Sequence, residues 1–230
     1  MKKNVLFFLL IGLAASAVAQ EPSLTAKEKK AGWILLFDGK DFAGWQKANG
    51  KPMGDSGWVA ANGVLSTTGH GHGGDIVTNR EFTDFEFTLD FKLEKGTNSG
   101  IKYHLLKNSS LGCEYQIIDD ANHVDAKLGK NGDRTLAALY DLIPPSADKK
   151  VMPLGEWNHV RIISKGNHAE HWLNGKKMLE YERGSEAFKK LVAESKFKNE
   201  KGFSEPNSSP ILLQEHGDVI HYRNIKIRNL

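Results

Sequence analysis

The sequence contains a single cysteine, almost no net charge and no long apolar run in its body, and each of these shortages excludes a class of protein. With Cys113 alone, no intrachain disulfide can form. The 31 basic residues nearly balance the 28 acidic residues, so we expect no nucleic-acid partner. Since no apolar run in the body reaches membrane-spanning length, we also expect no membrane anchor.

The motifs of several enzyme classes are missing too. The sequence has no Gly-x-Ser-x-Gly motif, no phosphate-binding glycine loop and no dinucleotide fingerprint, which argues against a serine hydrolase, a kinase and a dehydrogenase. Neither an internal repeat nor a linker divides the 230 residues. The sequence therefore predicts one domain, and nothing in it indicates an obligatory protein partner.

Residues 1–19 have the pattern of an export signal. Two lysines precede an apolar stretch from Val5 to Leu13, and small residues follow up to Ala19. The apolar stretch is too short to anchor the chain in a bilayer. We therefore expect a periplasmic or secreted protein after signal removal, with residues 20–31 as a solvated leader and residues 32–230 as a single β-sandwich domain.

Short runs of alternating apolar and polar residues dominate the rest of the chain. The clearest run extends from Phe85 to Leu93 and is typical of a strand with one buried and one exposed face. Asn-Gly and other glycine-rich turns separate the runs, which favours an antiparallel β-sandwich. The other runs cover residues 33–37, 58–66, 76–78, 100–106, 114–118, 157–164, 169–173, 178–181, 211–214 and 220–227.

One segment breaks this pattern. In residues 185–197, Phe188, Leu191 and Val192 recur at helical spacing behind Ser185, a suitable N-cap. The pattern predicts a short helix inserted between two strands. Whether this helix borders a binding groove or packs beneath one is left open by the sequence.

The most informative strand is the one that carries Glu114. Glu114 and Gln116 project to one face of a strand there, and a bulge near Ile118 would bring Asp119 to the same side. Two carboxylates beside a groove are what glycosidic bond cleavage needs. The spacing resembles the Glu-x-Asp-x-x-Glu strand of laminarinase-type glucanases, with Gln in the middle. An exposed strand face bearing ordinary polar residues is the alternative.

Further candidates come from other strands. Gln214 and His216 share a strand face, and an imidazole there could act as a general base. His171 is a second candidate imidazole, and Lys102 could place a cation beside the same groove. Tyr140 could stack on a sugar, although a core tyrosine with its hydroxyl at the rim explains the pattern equally well.

The glycine-rich stretch at 69–74 contains the pair His70 and His72, which could chelate a metal with Asp75 as a further ligand. Such pairs in glycine-rich loops are usually solvated, and no second paired motif supports this one. We therefore assign no metal ligand and leave the cofactor unknown; His72 and Asp75 would be the nearest choice.

Several segments, in this order, resemble the 3-keto-disaccharide hydrolase domain family, formerly a domain of unknown function. The resemblance extends from residue 32 to residue 230. The matching segments are GWILLFDG at 32–39, GW at 44–45, GGDIVT at 73–78, FTDFEF at 82–87, NSGI at 98–101, EYQIID at 114–119, LY at 139–140 before a proline at 144, GEWN at 155–158, HWLNG at 171–175, LQ at 213–214 and RNI at 223–225.

The resemblance implies an all-β, concanavalin A-like jelly-roll sandwich of two antiparallel sheets, here with one short inserted helix. It also implies action on glycosides already oxidised to a ketone at C3 of the sugar, by base-assisted elimination followed by water addition. On this basis we expect Glu114 to be a catalytic acid or base and His216 its partner. The residues expected to bind substrate are Lys102, Gln116, Asp119, Tyr140, His171 and Gln214.

Two other functions are compatible with the sequence. A carbohydrate-binding module could use the same face of the sandwich, since fold does not determine function. A conventional glycosidase acting on unoxidised glucan would need two free carboxylates. All three interpretations expect an oligosaccharide or glycoside as the partner.

Overall fold

The computed structural model describes residues 21–54 and 56–230, so the predicted export signal lies outside the described residues. Within them the chain forms thirteen strands, two α-helices and one 3₁₀ turn at Asp125–Lys127. The strands are β1 (Ile34–Leu35), β2 (Trp45–Lys47), β3 (Trp58–Ala61), β4 (Val64–Thr67), β5 (Ile76–Thr78), β6 (Phe85–Leu93), β7 (Asn98–Tyr103), β8 (Cys113–Ile118), β9 (Trp157–Lys165), β10 (His168–Leu173), β11 (Lys176–Glu182), β12 (Leu212–Leu213) and β13 (Ile220–Asn229); the helices are α1 (Ala26–Lys30) and α2 (Glu186–Glu194).

The strands form two antiparallel sheets. The large sheet has the order β11-β10-β9-β6-β13-β4-β3, with β1 also paired to β13, and the small sheet has the order β2-β5-β12-β7-β8. Apolar side chains from both sheets meet in one buried core. The predicted all-β sandwich with an inserted helix is confirmed. Among the described residues, no helix is long and apolar enough to cross a membrane.

Strand β6 differs from its sequence-based prediction in the exposure of its outer face. Its apolar residues are buried as predicted, but Glu86 and Thr88 on the other face are also buried, at 6% and 5% exposure. Arg161 Nε donates to Glu86 Oε1 at 2.5 Å and Arg228 Nε donates to Oε2 at 2.8 Å. These long side chains cover the outer face of the strand, so the expectation of an exposed face was wrong here.

The segment expected to be a solvated leader contains helix α1. Thr25 and Glu28 form a capping box at its start, and the Glu28 carboxylate forms an ion pair with Lys226 of β13. The hydrogen bond from Lys226 lowers the pKa of Glu28 to about 2. The leader is therefore tied to the large sheet by a specific ion pair.

Helix α2 forms where the sequence predicted it, behind Ser185 as the N-cap. Phe188 is buried, and its ring stacks on Tyr181 of β11 with centroids 5.5 Å apart. After the helix, the backbone N–H of Lys196 donates to Asp141 Oδ2 at 2.7 Å. This contact fixes the position of the residues that follow the helix.

The free edge of β8 is covered by residues 137–140 rather than by another strand. The N–H of Gln116 donates to Ala138 O at 3.1 Å, and the N–H of Tyr140 donates to Glu114 O at 3.0 Å. Ala137 adopts a left-handed conformation, with φ +70°, which is costly for a residue with a Cβ. This irregular segment protects the sheet edge and places Tyr140 beside Glu114.

Candidate functional site

A small polar pocket of about 80 Å³ lies on the outer face of the small sheet, above β7 and β8. Strand β8 turns Cys113, Tyr115 and Ile117 into the core, so Glu114 and Gln116 face the pocket. The residues that line it are Asn98, Lys102, Glu114, Gln116, Asp125, Tyr140, Lys196, Gln214 and His216. Six of these nine were predicted from the sequence.

Glu114 and Lys102 are direct neighbours across the β7–β8 pair. The Lys102 Nζ lies 3.6 Å from Glu114 Oε2, and both side chains are largely buried. Burial raises the pKa of Glu114, and the charges of Lys102 and Lys196 partly oppose that rise. A carboxyl group with a raised pKa is a better proton acceptor than an ordinary one when ionised.

Gly100 makes room for the Glu114 carboxyl group. A Cβ at position 100 would lie 2.2 Å from Glu114 Oε1 and 2.9 Å from its Cδ. The side chain of Glu114 therefore lies flat against β7, where only glycine leaves the space. The local sequence Asn-Ser-Gly thus fixes the direction in which the carboxyl group points.

Lys196 and Tyr140 form the opposite wall. The Lys196 Nζ lies 4.1 Å from the centroid of the Tyr140 ring, a cation–π arrangement. Desolvation lowers the pKa of Lys196, although the nearby charge of Glu114 opposes this. The pocket therefore contains two ammonium groups that act on one buried carboxyl group.

Asp125 holds the hydroxyl group of Tyr140. Tyr140 donates to Asp125 Oδ2 at 2.9 Å, and Arg134 Nη1 donates to Asp125 Oδ1 at 2.9 Å. Burial raises the pKa of Tyr140, and its hydrogen bond to Asp125 raises the pKa further. Tyr140 is thus a neutral hydrogen-bonding group at neutral pH.

Gln116 carries a side-chain oxygen without a hydrogen-bond partner in the described part of the chain. Its Nε2 donates to Asn98 Oδ1 at 3.1 Å, whereas its buried Oε1 has no partner among the described residues. Buried polar atoms without a partner are uncommon. An oxygen without a partner beside a pocket is chemically suited to accept a hydrogen bond from a bound molecule.

Gln214 and His216 reach the pocket although β12 ends at Leu213. The N–H of Gln214 donates to Gly100 O at 2.9 Å, which continues the sheet pairing by one residue. His216 is exposed and lies at the mouth of the pocket. The two side chains lie on the pocket side, as predicted.

The comparisons with known proteins agree with this architecture. The sequence model of a family described as the 3-keto-alpha-glucoside-1,2-lyase-like domain matches residues 32–228. The chain belongs to this family. A relative from Bacteroides thetaiotaomicron named 3-keto-disaccharide hydrolase is 33% identical in an alignment that covers 93% of this chain and 87% of the relative. The resemblance found in the sequence is confirmed.

Two solved structures of similar proteins have the same fold. A Parabacteroides distasonis ATCC 8503 protein described as a candidate glycosyl hydrolase is 33% identical, with a TM-score of 0.82 over 92% of this chain and 100% of that chain. A second structure from the same organism is 32% identical, with a TM-score of 0.68 over 86% and 99% of the two chains. Both support the sandwich as the fold of this 3-keto-alpha-glucoside-1,2-lyase-like domain.

Asp119 does not join the pocket of this lyase-like domain. The β7–β8 pairing continues without the expected bulge. The Asp119 carboxylate instead accepts the N–H groups of Gly96, Ala121 and Asn122. Although burial raises the pKa of Asp119, these donors hold it below its usual value. The residue fixes the turn after β8 and does not line the Glu114 pocket.

His171 also lies outside the Glu114 pocket. It is fully buried in β10, where its Nδ1 lies 3.2 Å from Ala137 O and its Nε2 lies 2.6 Å from the Tyr103 hydroxyl. Burial lowers its pKa to about 3, so the ring is neutral. It holds the 137–140 segment from behind and does not line the pocket.

Three side chains near the pocket could be considered as metal ligands. Ligand atoms of His123, His216 and Asp218 lie within 4.8 Å of one another. The backbone N–H of Asp125 donates to His123 Nδ1 at 3.1 Å, so that nitrogen is already engaged within the fold. A second such cluster, His168, Glu170 and Glu180, lies on β10 and β11. Among the described residues, neither cluster includes His72 or Asp75.

Three of the lining residues, Asn98, Asp125 and Lys196, were not predicted from the sequence. Lys196 follows a helix that is distant in sequence, and nothing in its local pattern distinguishes it from other surface lysines. Asp125 stands in a 3₁₀ turn with no strand periodicity. Asn98 was visible, because it precedes the glycine that accommodates Glu114. Lys196 lies within residues 185–197, where the sequence predicted a helix, whereas α2 ends at Glu194, so the sequence held no clue to its place at the pocket.

Proposed function

We propose that this protein hydrolyses glycosides whose sugar ring carries a ketone at C3, with the Glu114 pocket as its active site. The family and the curated relative support a glycoside hydrolase. The observation that carries the proposal is one buried carboxyl group, Glu114, whose pKa burial raises, with two lysines close enough to oppose the shift. This arrangement suits proton abstraction beside a carbonyl group.

The proposed reaction takes place in two steps, an elimination and then an addition of water. The ketone acidifies the hydrogen on C2, and the Glu114 carboxylate removes that proton. The electron pair of the C2–H bond is first shared with the C3 oxygen as an enolate and then forms the C1–C2 double bond as the bond from C1 to the leaving oxygen breaks. His216 donates a proton to the departing oxygen. Water then adds: its oxygen bonds to C1, C2 regains a proton from Glu114, and His216 takes the remaining proton.

The two lysines stabilise the charge that develops. As the C2 proton leaves, negative charge builds on the C3 oxygen. Lys102 and Lys196 provide positive charge in the same pocket, and fixed charges in a desolvated site stabilise such oxyanions strongly. Gln116 and Gln214 can hydrogen-bond the ring hydroxyls, and the Tyr140 ring forms a wall of the pocket.

A conventional two-carboxylate mechanism has less support from this geometry. Asp125 is the second carboxylate among the described lining residues. Its two oxygens are already bonded to Arg134 and the Tyr140 hydroxyl. A retaining or inverting glycosidase needs a second carboxyl group free to act as a nucleophile or base. Elimination needs only one carboxyl base.

The test compares two disaccharides that differ only in a C3 ketone. We expect the purified protein to cleave the 3-keto form and not the native form, and reaction in D₂O to place deuterium at C2 of the product. Glu114→Gln should lower turnover by about a hundredfold to ten-thousandfold because the base is removed and should abolish the deuterium incorporation. The Glu114→Gln variant also controls for uncatalysed exchange of the C2 hydrogen with D₂O.

Other results would change the assignment. Cleavage of the native disaccharide without deuterium at C2 would indicate a conventional glycosidase. Binding of both sugars without turnover would indicate a carbohydrate-binding module. Loss of turnover with a chelator would show that a metal takes part.

Export also belongs to this proposal, on the sequence of residues 1–19 alone. Expression of the full chain in a Gram-negative host should give a periplasmic protein whose N-terminus is Gln20. A cytoplasmic protein that retains Met1 in mass spectrometry would contradict it.

A further inference from the structure

The Glu114 pocket is too small to enclose a disaccharide. Its volume is about 80 Å³, whereas pockets that enclose a small ligand usually measure about 300–1,000 Å³. The pocket can hold the reacting edge of one sugar ring. The leaving sugar must therefore lie on a neighbouring surface, and the direction of the sheet indicates which one.

The pocket face continues across the small sheet. Side chains at paired positions of antiparallel strands lie on the same face, so one row starts at Glu114 and ends at the far edge strand. The row consists of Glu114 in β8, Lys102 in β7, Leu212 in β12, Val77 in β5 and Gln46 in β2. Val77 and Leu212 form a small apolar cluster with Leu105, and Ala48 packs against it.

Asp75 forms the boundary between the pocket and the next cavity along this face. Its Oδ1 accepts the N–H of Glu215 at 3.0 Å, and Glu215 stands between the two pocket residues Gln214 and His216. Asp75 is also close enough to raise the pKa of Glu114. The cavity beyond Asp75 is therefore adjacent to the reacting atoms.

That cavity is a polar groove of about 330 Å³. Amide, hydroxyl and backbone groups line it, together with one positive and one negative side chain, so it carries no excess of either charge. The polar side chains that line the groove are those of Lys47, Asn49, Asp75, Asn108, Ser109 and Ser110. This lining, in which Ala48 is the one described residue that also packs against the apolar cluster, fits a neutral, hydroxyl-rich ligand of about one sugar ring.

We propose that this groove, bordered by residues 47–49, 73–75 and 108–110, binds the leaving sugar of the substrate. The inference rests on the proposed function and adds to it: the enzyme distinguishes disaccharides from simple alkyl glycosides by contacts in this groove. Asn108 and Ser110 are the side chains that provide the contacts from the β7–β8 loop.

Two variants test the groove: one removes a polar group from its wall and the other fills its space. Asn108 has a left-handed backbone with φ +57°, so Asn108→Gly removes the amide group without backbone strain. Ser110→Tyr fills the groove. The matched controls are Asn62→Gly, at a turn with φ +52°, and Ser23→Tyr; both residues are exposed and line a different surface.

The substrates are a 3-keto-disaccharide and the corresponding methyl 3-keto-glucoside with the same anomeric configuration. Loss of one hydrogen bond changes binding by about fivefold. Asn108→Gly should therefore raise KM for the disaccharide about fivefold, and Ser110→Tyr should lower kcat/KM for it at least tenfold. Turnover of the methyl glycoside should stay unchanged in both variants and in both controls.

Equal effects on the two substrates, or no effect on either, would overturn the groove assignment while leaving the reaction intact. A wild-type protein inert to both substrates would instead contradict the proposed function. In that case titration with the disaccharide, followed by NMR, still tests the groove: equal affinity in wild type and Asn108→Gly would overturn it.

Discussion

At Gly100 the absence of a side chain determines where the Glu114 carboxyl group can lie, because a Cβ there would come within 2.2 Å of Oε1. Gly100→Ala should fold normally, since the nearest obstacle is the end of a flexible side chain. The carboxyl group must move, however, and a shift of about 1 Å can cost about a hundredfold in rate. We expect that loss in kcat/KM on the 3-keto-disaccharide, measured beside the melting temperature.

Gly54→Ala is the matched control, because a Cβ there meets no atom within 4 Å. It should leave both the rate and the melting temperature unchanged. Full activity in Gly100→Ala would show that the position of the Glu114 carboxyl group is not critical for the reaction.

Lys102 affects the protonation of Glu114 directly. Burial raises the pKa of Glu114 and the Lys102 charge opposes this rise, so Lys102→Met should raise the pKa further. A base works only when ionised, and activity is lost as the pH falls through its pKa. The acidic limb of the kcat/KM profile should therefore move to higher pH. The exposed Lys95 gives the control variant Lys95→Met, and an unchanged limb in Lys102→Met would mean that another group controls it.

At the scale of the element, period-two patterning was enough to locate β6, β8 and β9 and to assign the inward and outward side chains of β8. The pattern says nothing about what covers a face from a distant segment. Arg161 and Arg228 bury Glu86 from two other strands, and Lys196 reaches the pocket from beyond a helix.

The same limit explains why His171 and Asp119, which were predicted as site residues, do not line the pocket. Alternation within β10 cannot tell whether His171 faces the core or the groove, and the core position was the actual one. A bulge that would redirect Asp119 leaves no sequence signal of its own. The pocket residues on β7, β8 and the end of β12 were found because strand alternation and a family resemblance agreed there.

The 137–140 segment depends on His171. The neutral ring bonds Ala137 O with one nitrogen and the Tyr103 hydroxyl with the other. His171→Phe leaves Ala137 O buried without this hydrogen bond, whereas the Tyr103 hydroxyl keeps its bond to the Tyr181 hydroxyl at 2.8 Å. We expect a loss of about 1–3 kcal/mol in the free energy of unfolding, measured in urea. His70→Phe, at an exposed position, should change it by less than about 0.5 kcal/mol; equal effects would show that the buried bonds contribute nothing.

For the whole molecule, two buried histidines determine how the sandwich responds to acid. Burial lowers the pKa of His104 to about 4 and that of His171 to about 3, against the usual 6.5. Between pH 6.5 and these values the unfolded chain binds more protons than the folded one, so stability falls as the pH falls through this window. Each unit of depression corresponds to about 1.4 kcal/mol, so several kcal/mol should be lost between pH 6.5 and pH 4. Urea midpoints measured across that range should decline steeply, and the decline should be shallower in His104→Gln. A midpoint that stays constant down to pH 4 would mean that both rings gain protons without unfolding.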